Sequence, residues 1–345
     1  MKRNILGTIL LPVLAIGGLI SLLALKNDLK ENFASIKPAD AALTLPAGFN
    51  ASVIADKLGG ARHLVVTPQG DIYLKIRGVS DGKGIVLLHQ ANGKAEIKSS
   101  FGLGGTGIYI KNGYLYGSTD HEVYRYKLNA NDQVIDPAKP ELVVSGLIGR
   151  NEHEPKAILL DNAGYLYVNI GAYSNSCQVK DRQKGSMGQK GCPILDSAAG
   201  IWRFSANKLN QHYSDGIRYA TGLRNVVGMA WNTQLNQLFV MQHGRDQLHD
   251  IFPDLYTTKQ SALLPAECMY AIKKGDNAGW PYIYYDEFQH KKILAPEYGG
   301  DGKKEGGKNA IDPVVAFPGH LAPDGLLFYT GSQFPARYKN GAFIA

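Results

Sequence analysis

Three short stretches hold the side chains best suited to chemistry. In "NEHEPKAILLDNAGYLYVNIG", residues 151–171, one imidazole, His153, sits between two glutamates directly before an apolar strand pattern. In "TGLRNVVGMAW", Arg224 and Asn225 precede another such strand, and "QHGRDQL", residues 242–248, is a polar turn carrying His243, Gly244 and Arg245. A base, a guanidinium and a glycine turn brought to one space would make a reactive site. Each also has a plain alternative. A loop histidine can simply be solvated, an Arg-Asn pair can cap backbone groups or meet a surface acid, and "HGRD" can be an ordinary β-turn.

Whether the three meet depends on the elements that carry them. A hairpin signature recurs as "HLVVTPQGDIYLKI" (63–76), "GIYIKNGYLYGST" (107–119), "KAILLDNAGYLYVNIG" (156–171) and "VGMAWNTQLNQLFVMQH" (227–243), with a fifth copy, "YKNGAFIA", starting at Tyr338. Its marker aromatics are Tyr73, Tyr116, Tyr167, Phe239 and Phe343, at spacings of 43, 51, 72 and 104. Blades of a β-propeller are four-stranded sheets of about 40 to 50 residues with variable loops. The wider spacings then read as blades with insertions or, in the last interval, as a repeat without the signature. His153 lies 14 residues before Tyr167, and Asn225 14 before Phe239. Equivalent loops of two blades therefore aim His153 and Arg224-Asn225 at one central axis. The expected class is all-β: 40 glycines, 16 prolines and many β-branched and aromatic residues favour short strands and tight turns. The chain is expected to stop inside its last strand, leaving the propeller incomplete at the C-terminus.

The uncharged run Asn4–Leu25 follows Lys2 and Arg3. About 20 apolar residues suffice to cross a bilayer, and basic residues at the extreme end keep that end cytoplasmic. We read residues 1–25 as an uncleaved signal anchor, with a cleavable signal peptide as the alternative, 26–44 as a tether and 45–345 as the propeller. Export would place the propeller on the periplasmic side of a bacterial inner membrane, or free in the periplasm or medium if the segment is cut. Cys177 and Cys192 bracket a polar stretch with little core of its own, which a disulfide would brace; with three cysteines in all, the spacing is not a zinc pattern. Cys268 is expected to be buried. The net charge of +7 is scattered among acids, so nothing argues for a nucleic-acid partner.

Taken together, "LPAGF", "ARHLVVTPQGDIYL", "YLYGSTDHEVYRY", "SNSC", "GIWRFSANK", "YATGLRNVVGMAW", "QHGRDQL", "LPAEC", "GWPY", "LAPEYGGDGKK" and "FPGHLAPDGLLFYTG" resemble, in order from about Leu45 to Ala345, the glucose/sorbosone dehydrogenase family. These are six-bladed propellers that use pyrroloquinoline quinone (PQQ) and calcium. The resemblance implies oxidation of an aldose or sorbosone-like sugar. His153 would take the hydroxyl proton while hydride leaves for the quinone. Arg224 would stand at the quinone oxygens and Asn225 beside it. His243 would be a polar contact, and the carbonyls of Gly244 and Arg245 would hold calcium against the cofactor. Electrons would pass to a quinone or cytochrome acceptor.

The sequence departs from the family in two places. Ala172, in "NIGAYSNS", stands where the soluble glucose dehydrogenases carry a carboxylate that orients the histidine, which leaves Glu152 or Glu154 as substitutes. The basic residues that grip the PQQ carboxylates in the family would lie beyond Ala345. Two other function classes stay open: a calcium-dependent lactone hydrolase, and a propeller that binds ligands without catalysis.

Overall fold

A computed structural model describes residues 44–345, except 80, 81 and 92. The apolar run Asn4–Leu25 and the tether up to residue 43 lie outside the described residues, among which no helix is long and apolar enough to cross a membrane. The described residues divide into two units, one holding residues 44–57 with Ala91–Ala95 and the other Leu58–Gln90 with Glu96–Ala345. In the first, the Ala95 N–H donates to the Ile54 carbonyl at 2.8 Å. The strands of the second unit, one of which ends and one of which begins within Ala91–Ala95, run in chain order.

The strands are β1 (Gly60–Val66), β2 (Ile72–Arg77), β3 (Ile85–Ala91), β4 (Lys94–Phe101), β5 (Ile108–Lys111), β6 (Tyr114–Ser118), β7 (Val123–Lys127), β8 (Glu141–Ser145), β9 (Ile158–Leu160), β10 (Tyr165–Ile170), β11 (Gly200–Ser205), β12 (Gln211–His212), β13 (Ile217–Thr221), β14 (Val226–Asn232), β15 (Gln237–Gln242), β16 (Glu267–Ile272), β17 (Ile283–Asp286), β18 (Lys291–Leu294), β19 (Val315–Phe317), β20 (Leu326–Phe328) and β21 (Ala342–Ile344). They assemble into sheets ordered β1-β2-β3-β4, β5-β6-β7-β8 with β12 added in parallel on the outer edge, β9-β10-β11-β13, and β14-β15-β16-β19. The hairpin β20-β21 repeats the first two strands of such a sheet. The first strands lie against one another in sequence, β1 on β5, β5 on β9, β9 on β14 and β14 on β20, which is the propeller-like arrangement expected from the repeated hairpins.

All five marker aromatics fall in the second strand of their sheet or hairpin. The first four recur because each fills the gap to the following sheet, whereas Phe343 packs on Tyr329, Phe334 and Tyr338 of its own hairpin. Tyr73 joins Phe101, Ile108 and Leu115 between the first two sheets; Tyr116 joins Ile158 and Leu166 between the second and third; Tyr167 joins Val226 and Leu238 between the third and fourth. Phe239 meets Phe328 edge-on, ring centroids 4.9 Å apart. Alternating apolar residues thus bury sheet on sheet around the axis. Turn chemistry sets the hairpins: at Asn112-Gly113 both residues have positive φ, the two-residue geometry that matches strand twist. The 104-residue interval is accounted for by insertions into the fourth sheet: helices α1 (Leu248–Ile251) and α2 (Thr258–Ser261), and the hairpin β17-β18.

Candidate functional site

The loops that lead into the innermost strands meet as the spacing argument required. His153 precedes β9, Arg224 and Asn225 precede β14, and the His243–Arg245 turn follows β15. Arg224 and His153 converge on one residue: the Ala172 N–H donates to the Arg224 carbonyl at 2.7 Å, and His153 Nδ1 bonds the Ala172 carbonyl. Gly171 permits this approach, since a Cβ there would stand 2.5 Å from His153 Cβ and 2.9 Å from Asn225 Oδ1. A carbonyl only accepts, so Nδ1 must carry the proton and Nε2 keeps its lone pair in the neutral ring. The position where a carboxylate was missing therefore orients the imidazole through its backbone. Neither glutamate substitutes for it. Glu152 pairs with Arg182 at 2.9 Å, and Glu154 with Arg77 at 3.5 Å.

Arg224 is 4% exposed and is built into the protein. Its Nε donates to the Asn175 carbonyl at 3.0 Å, Nη1 to the Gly244 carbonyl at 2.7 Å, and Nη2 to Asn175 Oδ1 at 3.0 Å and Asp246 Oδ2 at 2.9 Å. Four of its five N–H groups are engaged, leaving one on Nη1. Asn225 is buried too, its Oδ1 accepting from Asn169 Nδ2 at 3.2 Å, while Asn169 Oδ1 accepts the Val226 N–H. His243 donates its backbone N–H to the Asn225 carbonyl at 2.9 Å, and its Nε2 lies 3.3 Å from the Pro323 carbonyl. Arg245 is engaged in a buried ion pair with Glu297 at 2.7 Å. A cavity beside Arg224, lined also by His243, Gly244, Arg245, Ser176 and Trp280, has room for about a water molecule.

Several participants carry no sequence signal of their own. Asp246 closes "HGRD" and accepts from both Arg224 and Arg182. Asn175, inside "SNSC", accepts the Asp246 N–H at 2.8 Å and donates from Nδ2 to the Asp246 carbonyl at 3.0 Å. Glu267, inside "LPAEC", is buried and takes the backbone N–H groups of Gly244 at 3.2 Å and His320 at 3.0 Å; burial raises its carboxyl while these bonds oppose the shift. The disulfide Cys177–Cys192 forms as expected, and Cys268 is buried.

Burial, and next the Arg224 charge, lower the His153 pKa to about 3, against opposing contributions from the Ala172 carbonyl and Asp246. The fold thus favours the neutral ring. The unfolded chain takes its proton near the ordinary histidine value of about 6.5, so this group's contribution to stability is complete above that pH and is lost as pH falls toward 3. Side-chain NMR of the cofactor-free protein is expected to show His153 neutral at pH 5; a midpoint near 6.5 would refute the burial and field described.

Residues 43–285 match the family described as TrAA12-like. A calcium structure of the family AA12 enzyme of Trichoderma reesei superposes with a TM-score of 0.62 at 19% identity, covering 80% of this chain and 72% of that one. The PQQ domain of a pyranose dehydrogenase from Coprinopsis cinerea gives 0.63 at 17%, covering 84% and 72%. The soluble aldose sugar dehydrogenase of Escherichia coli gives 0.53 at 18%, covering 85% and 82%. A protein of Borreliella burgdorferi is 29% identical over 126 residues, 36% of this chain and only 28% of that protein's length. The solved structures share this chain's all-β, propeller-like fold, and the matched region, more than half of the residues, shows that the chain belongs to the TrAA12-like family.

Proposed function

We propose that the protein is a PQQ-dependent dehydrogenase of an aldose or sorbosone-like sugar, with His153 as the base. The observation that carries this reading is the imidazole itself: Nδ1 is fixed on the Ala172 carbonyl, and Nε2 is left free beside a buried guanidinium. Nε2 would accept the sugar hydroxyl proton, and the Ala172 carbonyl would stabilise the imidazolium that results. The remaining N–H of Arg224, with His243 beside it, fits an anionic quinone, and Arg224 would favour charge developing there. PQQ, when bound, would supply the two-electron acceptor. An anion at this place would also offset the Arg224 share of the shift that depresses His153, burial remaining the larger cause. Calcium fits less well: the Gly244 carbonyl already receives Arg224, and a cation there would face a guanidinium. A six-bladed closure, an anchor at residues 1–25, a tether at 26–44, a periplasmic location and a membrane quinone or cytochrome as acceptor belong to the same reading.

One observation favours a second reading, a propeller that binds without catalysing. Most of Arg224's donors are already engaged inside the protein. Purified protein supplied with PQQ and calcium is expected to reduce a redox dye when given aldoses. Absence of dye reduction in folded protein, with PQQ still bound, would overturn the dehydrogenase in favour of the binding module. Lactone turnover without PQQ would overturn it in favour of a hydrolase.

A further inference from the structure

We infer that Arg182 is the positioning residue that holds the His153 loop in its working shape. This rests on the reading of His153 as the base. Arg182 lies inside the loop closed by Cys177–Cys192. Its Nε donates to Glu152 Oε1 at 2.9 Å, Nη1 to Gln247 Oε1 at 2.9 Å and Nη2 to Asp246 Oδ2 at 3.3 Å. One planar fork therefore ties three segments: the loop before β9, the turn after β15 and the disulfide loop. The charges alternate along Glu152, Arg182, Asp246 and Arg224.

The loop before β9 needs such a hold. Asn151 and His153 both have left-handed backbones, φ 55° and 51°, on either side of Glu152. Asparagine and histidine enter that region more readily than other side chains, but two such residues flanking one glutamate make a tight turn that its surroundings have to hold. The disulfide loop is itself firmly set: the Arg182 N–H donates to Gln178 Oε1 at 2.9 Å, the Gly188 N–H to the Glu297 carbonyl at 2.9 Å, and Gln178 Nε2 to the Ser186 carbonyl at 2.8 Å. Without Arg182, Glu152 would turn to water, since its Oε2 has no partner in its buried place, and would carry residues 151–153 with it.

The test compares Arg182→Gln, Arg182→Lys and Glu152→Gln in the full chain. Hydrogen exchange at the amides of residues 151–154 is expected to speed up about tenfold or more in Arg182→Gln and Glu152→Gln, while the amides of β10 and β15 stay as protected as before. With aldose and PQQ, kcat should fall about 10- to 100-fold with KM little changed, as small misplacements of a catalytic group do. The double variant should be no worse than Arg182→Gln alone, and Arg182→Lys should recover part of the loss. Unchanged exchange at 151–154 overturns the proposal, as does full additivity of the double variant. The exchange measurement needs no turnover, so failure of the dehydrogenase reading would show separately, as absent activity in the parent protein.

Discussion

Arg224→Ala is expected to destabilise the second unit by about 1–3 kcal/mol, because it leaves the half-buried Gly244 carbonyl without the donor it holds, while the Asn175 carbonyl keeps the Trp280 indole N–H at 3.1 Å. The charge left behind matters less. Asp246 is 39% exposed and retains Arg182 at 3.3 Å, so it is not the stranded buried ion whose exposure makes broken pairs so costly. Arg224→Lys should be only a partial remedy, since an ammonium cannot serve two carbonyls and a carboxylate in a fixed plane. Urea denaturation measures the effect. A loss under about 1 kcal/mol would mean that these bonds contribute little and that the guanidinium is free to turn to a ligand. If PQQ binds, the same variant is expected to alter the absorbance of the bound quinone.

What the chain disclosed in advance was its periodicity. Tyr73, Tyr116, Tyr167 and Phe239 mark sheets because each is an inward position in a strand of alternating pattern, filling a gap that every pair of sheets has to close. The fourth sheet stretched that pattern, as α1, α2 and β17-β18 interrupt it with segments that share no hairpin signature. The convergence of candidate residues was legible where repeat equivalence pointed to it, as with His153 and Arg224. It was not legible where the contact is made by backbone. The group that orients His153 is the Ala172 carbonyl, which any residue could supply, so a search for a carboxylate looked for the wrong chemistry. Arg182 was hidden in a polar loop whose composition says only that a disulfide is useful there.

Buried lysines were equally invisible. In "IYLKIR" Lys75 alternates like a solvent-facing residue. The second sheet covers it: Gly117, on β6, would bring a Cβ within 3.4 Å of its amine, which donates to the Leu103 carbonyl at 2.5 Å, and burial lowers it to about 7. Lys156 is buried as well, its amine on the Glu154 carbonyl, and burial lowers it to about 8. A two-residue period says which way a side chain points, but the neighbouring sheet decides whether that direction leads to water.

Removing the imidazole is expected to have the largest effect on turnover. His153→Ala should lower kcat by about 100-fold or more, the usual weight of a positioned general base. Alanine at this position also carries a backbone penalty, because φ is 51° and the left-handed region costs an ordinary residue about 1–2 kcal/mol. His153→Asn separates the two effects, since asparagine tolerates that backbone and its amide can still donate to the Ala172 carbonyl, yet it offers no basic nitrogen. Both variants should therefore lose turnover alike, while only the alanine protein melts earlier. Steady-state kinetics with aldose, PQQ and dye, set beside thermal unfolding, decide it: an asparagine variant within tenfold of the parent would show that the proton leaves by another route.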